Sequence, residues 1–309
     1  MSSAISSVLP ADDSPLSEAR DRVEVSASAA AMQATASSDV DIDRRFSGVA
    51  RAYGVAGLEA FRAAHVCVIG VGGVGSWAVE ALARTAIGRI TLIDLDHLAE
   101  SNVNRQIHAL TDTLGQAKVE ALAQRIAQIN PSCEVTCIEE FIDAENVAAL
   151  VPPGRFDYVI DAIDDARAKT ALIVHCHAQQ IPLVTIGSAG GQTDPTRIAI
   201  ADLARTEQEP LLKRVRKNLR LRHGFPRGAK NKFGIDAVFS MEPLRVPEVC
   251  DTGDESPDAS MTVGANGDAG AGFTGLNCAG YGSAMVVTAS FGLVAAGHVL
   301  RKIAETSLR

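Results

Sequence analysis

The chain of 309 residues has six cysteines, at 67, 133, 137, 176, 250 and 278, and no two of them form a C-x-x-C pair. That absence argues against a zinc ribbon and fits a reducing, cytosolic setting with free thiols. The first forty residues lack an apolar core and carry acids, which excludes a secretory signal. No uninterrupted apolar run reaches membrane-spanning length. The longest, 284–300, is broken by Thr288, Ser290, two glycines and His298. It reads as a buried helix, with peripheral attachment to a membrane left open. A net charge of −8 excludes a molecule that is a polyanion binder over its whole surface.

What is present is organised around residues 66–96. Residues 66–69 are a short apolar, β-branched run that reads as a buried strand. Gly70, Gly72, Gly73 and Gly75 come next in the spacing G-x-G-G-x-G. Ser76 is then expected to cap a helix with Trp77, Ala78, Ala81, Leu82 and Thr85 as its buried stripe, ending at Gly88. A second strand, 90–93, closes on Asp94, nineteen residues after the last glycine. Glycines let a polyphosphate approach bare backbone amides, and the helix N-terminus turns free N–H groups toward it. A carboxylate at the end of the second strand sits where a ribose hydroxyl would be. The order of strand, glycines, helix, strand and acid predicts nucleotide binding.

With 47% hydrophobic residues, the chain is long enough for one large α/β domain or two modest ones. Residues 1–40, rich in Ser and Ala, read as a disordered extension, and 41–64 as a helix. Helix 116–129 and strand 133–138 come after, then a short helix 143–150, strand 158–160, helix 166–180 and strand 183–186. Residues 100–106 are too polar for a core. Such alternation predicts a doubly wound, largely parallel sheet with helices on both faces, residues 41–205 forming the nucleotide-binding core. Residues 206–309 read as an irregular extension of the same domain, with later strands near 197–203 and 235–239. Lys213 to Lys232 contains nine Lys or Arg and no acid, and 250–275 reads as a long mobile loop.

Three polar clusters accompany the glycines. Asn102, Arg105 and Gln106 stand just past Asp94 and Asp96, where a guanidinium could clamp a phosphate. Lys118 opens the next helix within reach of the same phosphates. Asp161 and Asp164 end the following strand, where a carboxylate could hold Mg²⁺ bridging ATP oxygens. Each has an ordinary alternative: a surface ion pair, a solvated lysine, a cap. Together they favour triphosphate chemistry over hydride transfer, because charge on the transferring phosphorus must be offset by cations.

Gly70-Val-Gly-Gly-Val-Gly75, Asp94-Leu-Asp96, Ser101-Asn-Val-Asn-Arg-Gln106, Gly115-Gln-Ala-Lys118 and Asp161-Ala-Ile-Asp164 resemble the adenylating domain of the ubiquitin-activating enzyme family. That family includes bacterial enzymes that adenylate small sulfur-carrier proteins. The resemblance implies a Rossmann-like adenylating fold and a homodimer. It further implies ribose binding by Asp94, phosphate binding by Asn102, Arg105, Gln106 and Lys118, and catalytic Mg²⁺ on Asp164. The implied reaction is attack of a carboxylate on the α-phosphorus of ATP, giving an acyl-adenylate and pyrophosphate. Two departures narrow the branch. The zinc-binding C-x-x-C pairs of the sulfur-carrier activators are missing, and the family's Arg-Tyr-x-Arg is here Arg45-Phe-Ser-Gly48, leaving Arg51 or Arg44 as substitutes.

Further motifs resemble one tRNA-modifying branch of that family. They are Asn104-Arg-Gln-Ile-His-Ala109, Gly187-Ser-Ala-Gly-Gly-Gln-Thr-Asp-Pro195, Val238-Phe-Ser-Met-Glu242 and Asn277-Cys-Ala-Gly-Tyr-Gly282. That branch cyclises threonylcarbamoyladenosine at position 37 of tRNA. The resemblance implies tRNA docking on Lys213, Arg214, Arg216, Lys217, Arg220 and Arg222, against the alternative of a solvated helix face with Leu212, Val215 and Leu219 turned inward. It implies no DNA partner. It also leaves open a cysteine-desulfurase sulfur relay through Cys278, against a buried inert thiol. The other readings are adenylation of a sulfur carrier's C-terminus, a nucleotide-sensing binding module and a nicotinamide dehydrogenase.

Overall fold

The computed structural model describes residues 40–228, 231–245 and 281–307. The expected extension 1–40 falls almost wholly outside them, and the loop 250–275, Lys230 and Cys278 do so entirely. The chain divides into two compact units, residues 1–45 and 46–309. Of the first, only 40–45 are described, and they include the start of helix α1 (Ile42–Ala63). The second unit holds the rest of α1, the sheet and the other helices.

Seven strands form one sheet: β1 (His65–Ile69), β2 (Arg89–Ile93), β3 (Glu134–Ile138), β4 (Tyr158–Asp161), β5 (Leu183–Ile186), β6 (Ile198–Asp202) and β7 (Asp236–Ser240). Their order is β3-β2-β1-β4-β5-β7-β6, and every pairing is parallel except β6 with β7. β1, β4 and β5 are buried along their whole length, which is why they read as unbroken apolar runs and not as alternating ones. Their side chains still divide between two cores. Val66 and Val68 join one face, and Cys67 and Ile69 the other.

The first core is closed by α2 (Gly75–Arg84), α3 (Lys118–Ile129) and the final helix α7 (Met285–Ser307). The second is closed by α5 (Ala166–Ala178) and α6 (Pro210–Arg222). α7 is long and apolar enough to cross a membrane, yet it is a core helix: Val287, Phe291, Ala295, Ala296 and Val299 are buried against α2 and the sheet. The two helices approach so closely that a Cβ at Gly292 would stand 2.3 Å from the Val74 carbonyl oxygen.

Several boundaries differ from those expected of the sequence, each for a local reason. Ser76 is not the cap of α2: the helix starts one residue earlier and no side chain caps it. Of its expected stripe Ala78 and Leu82 are buried but Trp77, Ala81 and Thr85 only half-buried, while Val79 and Ala83 are buried, because α2 is covered by α7 as well as by the sheet. Helix α1 is broken at Gly54, where φ is +80° and ψ 163°, values that glycine adopts without strain. The short helix α4 covers only Val147–Leu150, since Asp143 accepts hydrogen bonds from the amides of Glu145 and Asn146 and turns the chain there. Polar residues 100–106 are not all at the surface: Asn102 and Gln106 are buried.

Candidate active site

Strand order reverses about β1, with β2 on one side and β4 on the other. In open parallel sheets that reversal leaves a crevice beyond the carboxyl ends of the strands, and ligands bind there. A cleft of about 550 Å³ occupies the position. Its walls come from the segments after β1 (Gly70, Gly72, Gly73), β2 (Asp94, Asp96), β4 (Ala162, Ile163, Asp164) and β5 (Gly187, Ser188). Asn102, Arg105, Gln106 and Lys118 complete it. The structure therefore brings together every predicted nucleotide residue except Gly75, which lies behind the loop.

Gly70 and Gly75 are required by contact, whereas a Cβ on Gly72 would meet only Gln106 Nε2 at 3.7 Å. Gly70 has φ +80°, and a Cβ on Gly75 would lie 1.9 Å from the Gly70 carbonyl oxygen. Strand end and helix start are thus pressed together, and the N-terminus of α2, which no side chain caps, follows directly on the glycines of the cleft wall. Gly73 is bare because Arg105 lies over it; a Cβ would meet the arginine's Cδ at 3.1 Å. Arg105 is held by its own Nη1, which donates to the Ser101 carbonyl at 2.6 Å and to Asn104 Oδ1 at 3.0 Å. The Trp77 indole N–H donates to the Arg105 carbonyl at 2.9 Å, tying this segment to α2.

Asp94 is buried and acts as a hub. Its Oδ2 accepts from the Val71 amide at 2.7 Å, and its Oδ1 from the Asp96 amide at 2.9 Å. Burial pushes its carboxyl above the ordinary range, while Lys118 and those two amides pull it back. Lys118 Nζ stands 2.6 Å from Asp96 Oδ2 and 3.9 Å from Asp94 Oδ1. This ammonium is poised between two carboxylates at the cleft wall. Gln106 presents a buried Oε1 with no hydrogen-bond partner among the described residues, as does His108 with both ring nitrogens. An orphaned acceptor beside a cleft of this shape fits a polar ligand.

The two aspartates after β4 have separate fates. Asp161, expected as a possible metal carboxylate, is turned into the core and fully buried. Its Oδ1 pairs with Lys169 Nζ at 2.8 Å, and its Oδ2 accepts from Thr185 Oγ1 at 2.7 Å. Oδ1 also accepts from the Ile163 amide at 3.1 Å, which sets the turn leading to Asp164. Asp164 lines the cleft, is exposed, and makes no hydrogen bond or ion pair among the described residues. Its charge acts on Arg105, whose guanidinium burial otherwise makes less basic. A free hard-oxygen donor opposite a triphosphate-sized cleft is the donor set Mg²⁺ uses, since that ion takes one or two carboxylates and completes its shell from phosphates and water.

Beyond β5, Glu209 is a residue that the sequence did not single out. It is buried, caps α6 and accepts a hydrogen bond from the Ser188 amide. A glutamate before Pro-Leu-Leu was the available signal. The basic segment becomes the amphipathic α6, with Leu211, Leu212, Val215 and Leu219 inward. Lys213, Arg214, Lys217 and Arg222 are exposed. Arg216 donates to Thr206 Oγ1, and Arg220 stacks over the Phe233 ring at 5.1 Å, so these two brace the fold. Burial raises the thiols of Cys133, Cys137 and Cys176 to about 12, so these three thiols are protonated at neutral pH.

Fold and cleft define a nucleotide-binding α/β protein of the adenylating type. The sequence model of the ThiF family matches residues 45–308, and the chain belongs to that family. It is 49% identical over 267 residues to the tRNA threonylcarbamoyladenosine dehydratase of Escherichia coli, covering 86% of this chain and 96% of that protein. The enzyme of the same name from Haemophilus influenzae is 46% identical over 262 residues, covering 84% of this chain and 94% of that protein. A crystal structure of E. coli tRNA N6-threonylcarbamoyladenosine dehydratase, TcdA, in complex with ATP superposes with a TM-score of 0.74. It shares 46% identity and covers 86% of this chain and 96% of that one.

Proposed function

We propose that this protein uses ATP to dehydrate threonylcarbamoyladenosine at position 37 of tRNA, closing a ring through an acyl-adenylate. The observation that carries the reading is the cleft at the strand-order reversal, with Asp94, Arg105, Lys118 and Asp164 converging on it, in a chain that aligns along nearly the whole of a dehydratase solved with ATP.

In this reading ATP lies with its ribose at Asp94 and its phosphates between the α2 N-terminus, Arg105 and Lys118. Lys118 exchanges part of its pairing with Asp96 for a phosphate oxygen. The threonyl carboxylate attacks the α-phosphorus and pyrophosphate departs, so that a mixed anhydride forms on the nucleoside. The neighbouring carbamoyl group then attacks the activated acyl carbon. AMP departs with one former carboxylate oxygen, and one proton goes to solvent. The second step is intramolecular, so proximity suffices and no protein nucleophile is required. The high basicity of the described thiols agrees with that. Bound at Asp164, Mg²⁺ would offset charge on the phosphates and the leaving pyrophosphate. Lys213, Arg214, Lys217 and Arg222 supply a cationic face for RNA on an otherwise acidic protein.

The reading carries with it a homodimer and a cytoplasmic setting where tRNA and ATP meet. A sulfur relay through Cys278 takes no part in the steps above. The test is to incubate the full-length protein with ATP and tRNA, either bearing or lacking the threonylcarbamoyl group, and to weigh the nucleosides. Loss of one water from the modified adenosine, abolished in Asp164→Ala while tRNA still binds, is the expected result. Pyrophosphate exchange that depends on a small carrier protein and not on modified tRNA would overturn it.

A further inference from the structure

Glu209 is 3% exposed and takes no part in the chemistry above. Its Oε1 accepts from the Ser188 amide at 2.9 Å and from the Leu211 amide at 3.2 Å, and its Oε2 accepts from the Leu212 amide. The two elements it joins have different tasks. Gly187 and Ser188 line the nucleotide cleft, whereas Leu211, also at the cleft, opens the helix whose exposed face carries Lys213, Arg214 and Lys217. Gly187 is fitted to the junction, because a Cβ there would stand 2.8 Å from Glu209 Cγ.

Capping α6 alone does not call for this residue. Ser, Thr, Asp or Asn reaches first-turn amides from the N-cap position. The extra methylene of glutamate lets the same carboxylate reach back to Ser188. Burying a carboxylate is unfavourable unless it is well bonded; here three amides satisfy it, with the Lys169 charge nearby. From Leu211 to Arg222 the helix runs roughly 17 Å at about 1.5 Å per residue. Packing of Leu212, Val215 and Leu219 seats the helix on the core, and Glu209 fixes its first turn against the cleft segment.

We propose that Glu209 is a positioning residue: by joining the Ser188 amide of the cleft to the first turn of α6, it holds RNA bound on the basic helix in register with the nucleotide. The proposal rests on the tRNA reading above. Alignment at a reacting centre is steep, so a small pivot of α6 should reduce turnover without releasing either substrate.

Glu209→Asp separates the two bonds, since aspartate still caps the helix but is too short for Ser188. In the full-length protein it should keep its Tm and, within about twofold, its Kd for ATP and for threonylcarbamoyl-bearing tRNA, while kcat falls at least about tenfold. An unchanged kcat overturns the proposal. So does a loss confined to either affinity, which marks a binding or folding role. Hydrogen exchange gives a reading independent of turnover: peptides from 187–191 should exchange faster while those from 213–220 keep their protection. Equal loosening of both reduces Glu209 to a cap and overturns the proposal. If the wild type converts no tRNA, the functional reading fails, and the exchange data still decide whether the tether exists. Should Glu209→Asp not fold, Gly187→Ala, which displaces the same carboxylate from the loop side, is judged by the exchange criterion alone, since Gly187 itself lines the cleft.

Discussion

Replacing Lys169 by methionine tests how the cleft is supported from beneath. Lys169 and Asp161 are both 0% exposed, and their charged atoms are 2.8 Å apart. Methionine nearly matches the lysine stem in volume, so the change removes a charge and little packing. It leaves the Asp161 carboxylate buried with Thr185 and the Ile163 amide as its remaining donors. Breaking a buried pair on one side costs about 3–5 kcal/mol, and the two surviving hydrogen bonds argue for the lower half of that range. For a domain of this size each kcal/mol lowers Tm by about 2–4 °C, so a fall of roughly 6–16 °C is expected. Thermal and urea unfolding followed by circular dichroism would measure it. Asp161→Asn combined with Lys169→Met leaves no buried net charge and should recover part of the loss, giving a double-mutant coupling of at least about 1 kcal/mol. A single-variant cost below about 1 kcal/mol, or strict additivity, would refute the idea that this pair supports the turn to Asp164.

Other perturbations test the same geometry. Gly75→Ala drives a methyl into the Gly70 carbonyl and should abolish ATP binding by calorimetry, whereas Gly115→Ala, with φ +83° but nothing within 4 Å, should cost only about 1–2 kcal/mol and leave binding intact. Reversing Lys213 and Lys217 to glutamate should weaken tRNA binding and reduce its log–log salt slope by roughly 0.7–0.9 for each phosphate no longer neutralised; Arg216→Ala should instead lower Tm, since that guanidinium is bonded to Thr206. Burial lowers His108 from 6.5 to about 3, with Lys118 and Arg125 adding to the effect. The unfolded chain therefore binds one more proton than the native state between those values. Stability is fully present above pH 6.5 and declines as pH falls, by on the order of 2 kcal/mol at pH 5. His108→Leu should flatten that acid limb; an unchanged limb would show that other groups produce it.

The parts of the fold that were legible in the sequence are those where one physical requirement dominates. Residues 66–69, 158–160 and 183–186 read as strands because a parallel strand covered on both faces must be apolar throughout. The glycine spacing was legible because backbone contacts at Gly70 and Gly75 admit no side chain. Asp94 stood out because a charged residue at the end of an apolar strand has few structural reasons to be there, and Arg105 and Lys118 because they follow it closely, in a polar segment and at a helix start. What stayed hidden depends on elements distant in sequence. Nothing local reveals that Asp161 would be neutralised by Lys169 while Asp164, three residues on, stays free. Asn102 and Gln106 are buried in a segment tied to α2 by the Trp77–Arg105 bond, so a polar composition misled. Arg216 and Arg220 look like their exposed neighbours in sequence, and only the positions of Thr206 and Phe233 set them apart. Glu209 acts through an amide twenty-one residues away.

The most direct test of the central claim, that a carboxylate attacks the α-phosphorus of ATP in this cleft, is an oxygen-transfer measurement. tRNA carrying oxygen-18 in the threonyl carboxylate is incubated with the protein and ATP, and the small products are weighed. One labelled oxygen in AMP, in step with dehydrated nucleoside and lost in Asp164→Ala, is the result this account predicts. Label appearing in inorganic phosphate with ADP as co-product, or ring closure that leaves AMP unlabelled, would contradict it.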